Sequence, residues 1–562
     1  MSGRLRVGEA IIDLLTRHYD VDTVFGIPGV HNIELFRGLH RAGVRTIAPR
    51  HEQGAGFMAD GWSLVTGRPG VCVLISGPGL TNALTPMAQA YHDSRPMLVL
   101  ASTTPTDALG QRIGPLHDLD DQAAVARTVC AFSETVLDPA SLPTLIARAW
   151  DVFTAARPRP VHLAIPTDVL EQWVDQWSPA PSTASRPVAQ PAAIDQAARQ
   201  LAAADSPLIV AGGGAIDAGD ALVRIAEQLD APVVLTGNAK GVVPSQHPLC
   251  ADTALGFPDV QRAIEACGTV LVVGSELSDT DLYNGGRALS FSGRTVRIDL
   301  DPAQAVRRLS PDVTLVGDAA ATLRTLSAAL EATGVERRDA TSTLGAERAA
   351  ALRAVWRSGT RADLVPWLEA IESCLTADTI VALDSTQLGY AAHTWLPAAR
   401  PRSWLAPYGF GTLGCALPMA IGASLAAPDR PVVALAGDGG WLFTVAEMAA
   451  GHDLASNLVL LVWATAATPR SASRSTMSMP CGWASTSRRT TRPPSHAASD
   501  GLLVPSITQP ISCPPCTTPS RPPPAVAARS SCTSCRLGPK VPTRSRPLRS
   551  VPMHGTRRHH TP

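Results

Sequence analysis

The 562-residue sequence predicts an α/β fold of three doubly wound parallel-sheet domains, the third truncated, followed by a low-complexity tail. Three observations carry this expectation. Short apolar runs that end in Gly, Pro, Ser or Asp alternate with stretches of helical period. A Pro-, Ser- and Ala-rich break without any period, QWSPAPSTASRPVAQPAA, separates the first set of runs from the second. After Trp463 the apolar pattern stops altogether.

In order along the chain, TVFGIPG, GVCVLISGPG, PMLVLAS and PVHLAIPTD read as strands buried on both faces. Between them lie amphipathic segments such as EAIIDLLTRHY, which puts Ile11, Leu14 and Leu15 on one helix face. PLIVAGGG, PVVLTG, TVLVVGSEL and TVRIDLDP form the second set, and TIVALDSTQ, PVVALAGDGG and LVLLVW the third. The expected boundaries are a first domain at 1–175, a linker at 176–193, a central domain at 194–333, a partly helical linker at 334–360, an incomplete third domain at 361–463, and a tail at 464–562.

The formal net charge is zero, but the tail carries 14 Lys and Arg against one acid, Asp500. Of the 48 basic and 48 acidic residues in the whole chain, 34 and 47 therefore lie in the body, which is acidic. No run reaches the length of a membrane span, and the first twenty residues lack the apolar core of a signal peptide. Six cysteines scattered through the body suit free thiols of a cytoplasmic protein rather than a disulfide framework.

Several motifs sit where strands give way to helices. Glu52 in RHEQGAGFMADGW stands at such a junction; alone, it is a favourable charge at a helix start. ISGPGLTN places a tight turn at a strand's carboxyl end, the ligand-binding edge of open α/β sheets. In ALAGDGGWLF, bare backbone N–H groups and Asp438 can hold a diphosphate through a divalent cation, or Asp438 simply caps the next helix. VAGGGAIDAG is a weaker signal, since the following strand ends in Thr236-Gly237 with no acid for a ribose hydroxyl, which argues against NAD.

Taken together, FGIPG, RHEQGAGFMADGW, ISGPGLTN, DSRPML, GFGTLGCALPMAIGA and GDGG, in this order, resemble the thiamine-diphosphate enzymes of the acetolactate synthase and 2-oxoacid decarboxylase family. The resemblance covers 1–463. It implies pyrimidine-binding, central and diphosphate-binding domains, with thiamine diphosphate and Mg2+ as cofactors. Glu52 then bonds a pyrimidine nitrogen and favours the imino tautomer that takes the thiazolium proton, after which a 2-oxo acid is attacked and loses carbon dioxide. Asp438 becomes a magnesium ligand. Gly437, Gly439, Gly440, Ser385, Thr386 and Gln387 become diphosphate contacts, Gly411 becomes a further cofactor contact, and Leu413 takes the position of the residue that bends the cofactor. Gly26, Pro28, Gly29, Ser76, Gly77, Pro78, Thr81 and Asn82 become cofactor contacts of the first domain. Active sites lie between subunits of a homodimer or tetramer, with neither nucleic acid nor membrane as partner.

The branch of the family is read from departures. Leu116-His117-Asp118 replace the Phe-Gln-Glu usual in acetolactate synthases, and Thr128-Val129 lacks their lysine. VGSELSDTDLY lacks their flavin-side arginine, which argues against FAD. GIPGVHNIELFRGL and PLHDL look more like decarboxylases of 5-guanidino-2-oxopentanoate. His117 becomes a candidate proton donor, and Asp118, Asp120 and Asp121 candidate partners for a cationic substrate tail. Decarboxylation of a 2-oxo acid is therefore expected, with acetolactate synthesis, or an inactive remnant, as the alternatives.

The tail offers two further readings. Cys513–Cys516 and Cys532–Cys535 have zinc-ribbon spacing, and the arginines suggest nucleic acid. But the tail has no Glu, Asn, Phe or Tyr and abundant Pro, Arg, Ser and Thr, too little apolar surface for a packed core. Such composition is what a GC-rich gene yields out of frame. Ala464 to Ser473 can be encoded so that the neighbouring frame spells Asn-Gly-Gly-Tyr-Ala-Glu-Ile-Arg-Glu. The restored Asn falls near position 465, where the resemblance places a second magnesium ligand. The reading frame is therefore expected to break near Trp463.

Overall fold

A computed structural model of the chain describes residues 4–182, 184–334, 343–454 and 457–464. Its strands are β1 (Arg4–Arg6), β2 (Thr23–Gly26), β3 (Arg45–Ile47), β4 (Gly70–Leu74), β5 (Met97–Thr103), β6 (Phe132–Thr135), β7 (Pro160–Pro166) and β8 (Trp173–Asp175) in the first domain. The central domain holds β9 (Pro207–Ala211), β10 (Val233–Leu235), β11 (Cys250–Asp252), β12 (Thr269–Val273), β13 (Arg294–Asp299) and β14 (Val313–Val316). The third holds β15 (Ile380–Leu383), β16 (Trp404–Leu405), β17 (Val432–Gly437) and β18 (Leu458–Trp463).

Three parallel sheets result, in the orders β3-β2-β4-β5-β7-β6, β11-β10-β9-β12-β13-β14 and β16-β15-β17-β18. The runs predicted as buried strands are the central ones: every residue of β4, β5, β7, β9 and β12 is buried. Burying each Val or Leu side chain there contributes roughly 1.5–3 kcal/mol. The short antiparallel pair of β1 with β8 is too brief to show a period in the sequence.

The first and third domains meet through two helices, Glu52–Thr66 and Ala416–Ala426. The second is apolar all round because it is covered on all sides. Their backbones nearly touch at two glycines. A Cβ on Gly61 would lie 2.1 Å from the Met419 carbonyl oxygen, and one on Gly422 would lie 2.0 Å from that of Met58. The glycines in GFMADGW and AIGA are thus explained by close helix crossing.

The boundaries need two corrections. Residues 191–193, read as linker, open the helix Pro191–Ala202, with proline in the first turn where its missing N–H is harmless. Residues 344–359, also read as linker, form the helix Leu344–Gly359. Leu352 and Trp356 of that helix enter a core shared with the central and third sheets, and the Trp356 indole donates to the Ala251 carbonyl at 3.2 Å. Packing of this helix against two domains, rather than its modest amphipathicity, decides its state.

Candidate active site

The first half of the site is built on helix starts. His51 is extended and its ring accepts from the Gln53 N–H at 3.1 Å, capping the helix that Glu52 opens. The carboxylate of Glu52 accepts from the Asn82 amide at 2.9 Å. Asn82 lies on the helix Pro78–His92, launched from the Gly-Pro-Gly turn, where Gly77 has φ +59°. Sequence-predicted Glu52 and Asn82 are thereby brought together. Thr81 bonds back to the same turn through Gly77 and Pro78. Gly26 is a packing residue, since a Cβ there would lie 2.0 Å from the Val73 oxygen. Pro28 and Gly29 form the turn after β2, and the Gly29 N–H donates to the Asn32 side chain at 2.8 Å.

Glu447 was not anticipated. It is buried, accepts from the Arg50 and His51 N–H groups at 3.0 Å, and so ties the loop before Glu52 to the third domain. Burial raises its pKa, although those donors work against the rise. Its neighbourhood in TVAEM has no pattern that would have marked it.

His117 has φ +65°, an uncommon left-handed conformation for a residue with a side chain. A Cβ on Gly77 would lie 2.8 Å from the Cβ of His117, so glycine is what lets this loop approach the turn. The Gly77 N–H is in turn held by the Gln122 side chain at 3.0 Å. His31, overlooked in GVHN, joins the group: its Nδ1 lies 2.6 Å from the Ser76 hydroxyl, which lies 3.2 Å from His117 Nδ1.

The acidic loop must be narrowed. Asp120 is already paired with Arg112 through two hydrogen bonds, and Asp121 caps the helix Gln122–Arg127 through the Ala124 N–H at 2.8 Å. Only Asp118 keeps a buried carboxylate oxygen without a hydrogen-bond partner. Local chain chemistry, invisible as such in a run of Asp, engages the other two.

The second half of the site is a cradle of turns around Asp384. This buried carboxylate accepts from the Ser385 N–H at 2.8 Å and from the Gly414 N–H at 2.9 and 3.0 Å; burial nevertheless pushes it up to about 6. A Cβ on Gly440 would lie 3.1 Å from Asp384 Oδ2, and one on Gly437 2.9 Å from Thr386 Oγ1. Gly439 faces open space and Asp438 is exposed beside it. Gly411 has φ +66° and Leu413 is 38% exposed for an apolar side chain. Thr386 opens the helix Gln387–Trp395, and the Gln387 side chain accepts from Arg361 at 2.6 Å.

Bare backbone around an exposed carboxylate fits a diphosphate held through a divalent cation. Among the described residues no cluster of three His, Cys, Asp or Glu side chains could hold a metal by itself. The position near 465 and the paired tail cysteines lie outside the described residues. Glu52 and Asp438 make no hydrogen bond with each other within the chain. A separate cleft of 640 Å³ opens at the carboxyl ends of β9, β12 and β13, lined by Gly213, Gly274, Asp299 and Arg157, with Arg157 paired to Glu276. No helix among the described residues is long and apolar enough to cross a membrane.

Comparison with known proteins agrees with this geometry. Models of the thiamine pyrophosphate enzyme N-terminal TPP-binding, central and C-terminal TPP-binding domains match residues 5–125, 194–326 and 384–468. The chain is 45% identical over 467 residues to the probable 2-ketoarginine decarboxylase AruI of Pseudomonas aeruginosa, covering 82% of each chain. It is 32% identical over 468 residues to a probable acetolactate synthase large subunit of Methanocaldococcus jannaschii, covering 79% of this chain and 78% of that one. It is also 32% identical over 464 residues to the acetolactate synthase large subunit of Corynebacterium glutamicum, covering 79% and 72%. With three domain matches in order and 45% identity to a relative covered over 82% of its length, the chain belongs to the thiamine pyrophosphate enzyme family.

Proposed function

We propose that this chain is built to decarboxylate a 2-oxo acid with a cationic tail, using thiamine diphosphate and Mg2+. The observation that carries the choice of substrate is Asp118, whose buried, unpartnered carboxylate oxygen follows His117 directly. A guanidinium is the donor that best satisfies such an oxygen. Similarity to a probable 2-ketoarginine decarboxylase supports the same substrate class.

When bound, the cofactor supplies the electron sink for loss of carbon dioxide. Glu52 holds the proton shared with its pyrimidine ring, and Asn82 orients the Glu52 carboxylate. Asp438 holds the cation, while Gly437, Gly439, Gly440 and Ser385, Thr386 and Gln387 receive the diphosphate. Leu413, an exposed apolar side chain beside the glycine turns, would lie against the cofactor, and His117 would supply a proton. Flavin is outside this reading, because none of these steps needs it. The two halves are completed between subunits; Phe410 and Phe443, 51% and 61% exposed near Leu413, are apolar surface that a second copy would cover.

The chain as written lacks the partner for Asp438 that the restored frame supplies, since Thr465 stands there. We therefore read it as inactive. The test uses a protein with the frame restored after Trp463. It is expected to release carbon dioxide from 5-guanidino-2-oxopentanoate with kcat/KM at least about 10-fold above that for pyruvate, and Asp118→Asn to erase most of that preference. Rapid acetolactate formation from pyruvate would overturn the substrate assignment in favour of the acetolactate synthase relatives.

A further inference from the structure

Ser76 lies between two imidazoles. Its hydroxyl is 2.6 Å from His31 Nδ1 and 3.2 Å from His117 Nδ1, and the rings face each other edge-on with centroids 5.2 Å apart at 69°. The side chain of Ser76 is fully buried. A serine hydroxyl has one proton to give, and a neutral imidazole carries one N–H and one bare nitrogen. Ser76 therefore donates to one Nδ1 and accepts from the other. If it accepted from both, its own proton would be buried without a partner, which is unfavourable. Burial and the neighbouring His117 hold His31 below the usual imidazole range, which favours its neutral ring.

The two rings are thus forced into opposite tautomers. When His31 carries its proton on Nδ1, His117 carries its proton on Nε2, and the reverse. We propose that His31, Ser76 and His117 form a two-state proton wire, in which His31 is the terminal opposite the candidate proton donor His117 and a partner that the sequence motifs did not mark. A proton added at His31 Nε2 releases the proton on its Nδ1 to the Ser76 oxygen. The Ser76 proton moves to His117 Nδ1, and His117 gives up the proton on Nε2. One proton enters and one leaves, and every group ends neutral. Uptake at His117 Nε2 and release at His31 Nε2 restores the first state. Forward and reverse runs cancel, so the wire carries a proton to the reacting centre at one step of a turnover and takes one back at another, while the net proton that replaces the carboxylate enters from solvent. That role rests on the decarboxylase reading; the tautomer coupling does not.

Three features hold the wire in place. His117 is fixed in its left-handed conformation against Gly77, the Gln122 side chain binds the Gly77 N–H at 3.0 Å, and the Ser76 N–H donates to Ser102 Oγ at 3.1 Å.

The coupling is tested with 15N-labelled histidine at pH 7.5 on the frame-restored protein and on the chain as written, because all three residues lie in the first domain of both. The parent is expected to show His31 and His117 in opposite tautomers. Ser76→Ala is expected to release both to the free-imidazole equilibrium, and Ser76→Thr, which keeps the hydroxyl, to preserve the opposition. Like tautomers in the parent, or opposition surviving in Ser76→Ala, would overturn the wire. In the frame-restored protein, His31→Gln is expected to lower kcat at least about 10-fold while leaving the dissociation constant for thiamine diphosphate within two-fold. An unchanged kcat would overturn the delivery role. If the frame-restored protein releases carbon dioxide from no 2-oxo acid, the functional reading falls, and the tautomers still decide the coupling.

Discussion

Strands β5 and β18 are written in the same language and end in different surroundings. β5, MLVLAST, lies between β4 and β7 and is buried along its whole length. β18, LVLLVW, pairs with β17 from Leu458–Val432 to Trp463–Gly437, but none of its residues is buried. Val459 and Val462 are 54% and 40% exposed. An unbroken apolar run is what a parallel strand needs when both faces and both edges are covered. β5 has that cover. Among the described residues β18 is the last strand of a sheet with four strands, where the other two parallel sheets have six. Its outer edge presents unpaired backbone and apolar side chains, a template for aggregation. The match to the third family domain ends at residue 468, five residues beyond β18. Among the described residues, the difference between the two strands falls where the composition of the chain changes, at Trp463.

The largest expected effect comes from removing that difference. Restoring the frame should convert an inactive, aggregation-prone chain into one with thiamine-diphosphate-dependent carbon dioxide release. Sedimentation and gas evolution, measured on both forms, check this; equal activity in the two would refute the frame reading.

The next tests the complete half-site. Glu52→Gln in the frame-restored protein should still bind thiamine diphosphate but lose turnover by about 100-fold or more, because an amide cannot share a proton with the pyrimidine ring. Calorimetric titration and steady-state rates separate the two effects. Turnover within a few-fold of the parent would remove Glu52 from its assigned role.

Matched truncations sharpen the strand comparison directly. Leu100→Ala in β5 should cost about 2–5 kcal/mol, since the side chain is fully buried and leaves a cavity. Val459→Ala in β18 of the chain as written should cost less than about 1 kcal/mol, because over half of the residue is already in water. Urea melts of both variants give the ratio, and similar costs would show that β18 is covered after all.

The smallest effect concerns the incomplete domain's cradle. Burial pushes Asp384 from 3.8 up to about 6, so the folded chain binds this proton more tightly than the unfolded chain. Its contribution to stability therefore rises as pH falls from about 6 toward 3.8, and is unfavourable above 6. Between pH 7 and pH 5 the gain is about 1 kcal/mol. Asp384→Asn should remove that part of the pH dependence, as seen in paired melts at the two pH values. The same slope in parent and variant would show that Asp384 is not the group responsible.

Much of the site was legible because its chemistry needs particular residues at strand ends. Glu52, Asn82, Asp438 and the glycine turns stand in motifs whose order is itself the signal, and the structure places Glu52 against Asn82. His31, Asp384 and Glu447 were not legible. Each acts through one hydrogen bond or a few to residues distant in sequence, such as His31 to Ser76 and Glu447 to Arg50 and His51. The acidic loop was over-read, because charge alone did not say that Arg112 already occupies Asp120 or that Asp121 caps a helix.

The sequence by itself determined the three sheets, since unbroken apolar runs have no stable place except between layers of helix. It also shows the change of pattern after Trp463, since period and composition are properties of the chain alone. The tertiary structure alone decided that the helix at 344–359 packs into a core shared by two domains, that Gly61 and Gly422 let two domains touch, and that one serine lies between two histidines. These depend on which distant surfaces meet, and a contact between residues far apart in the chain leaves no local period to read.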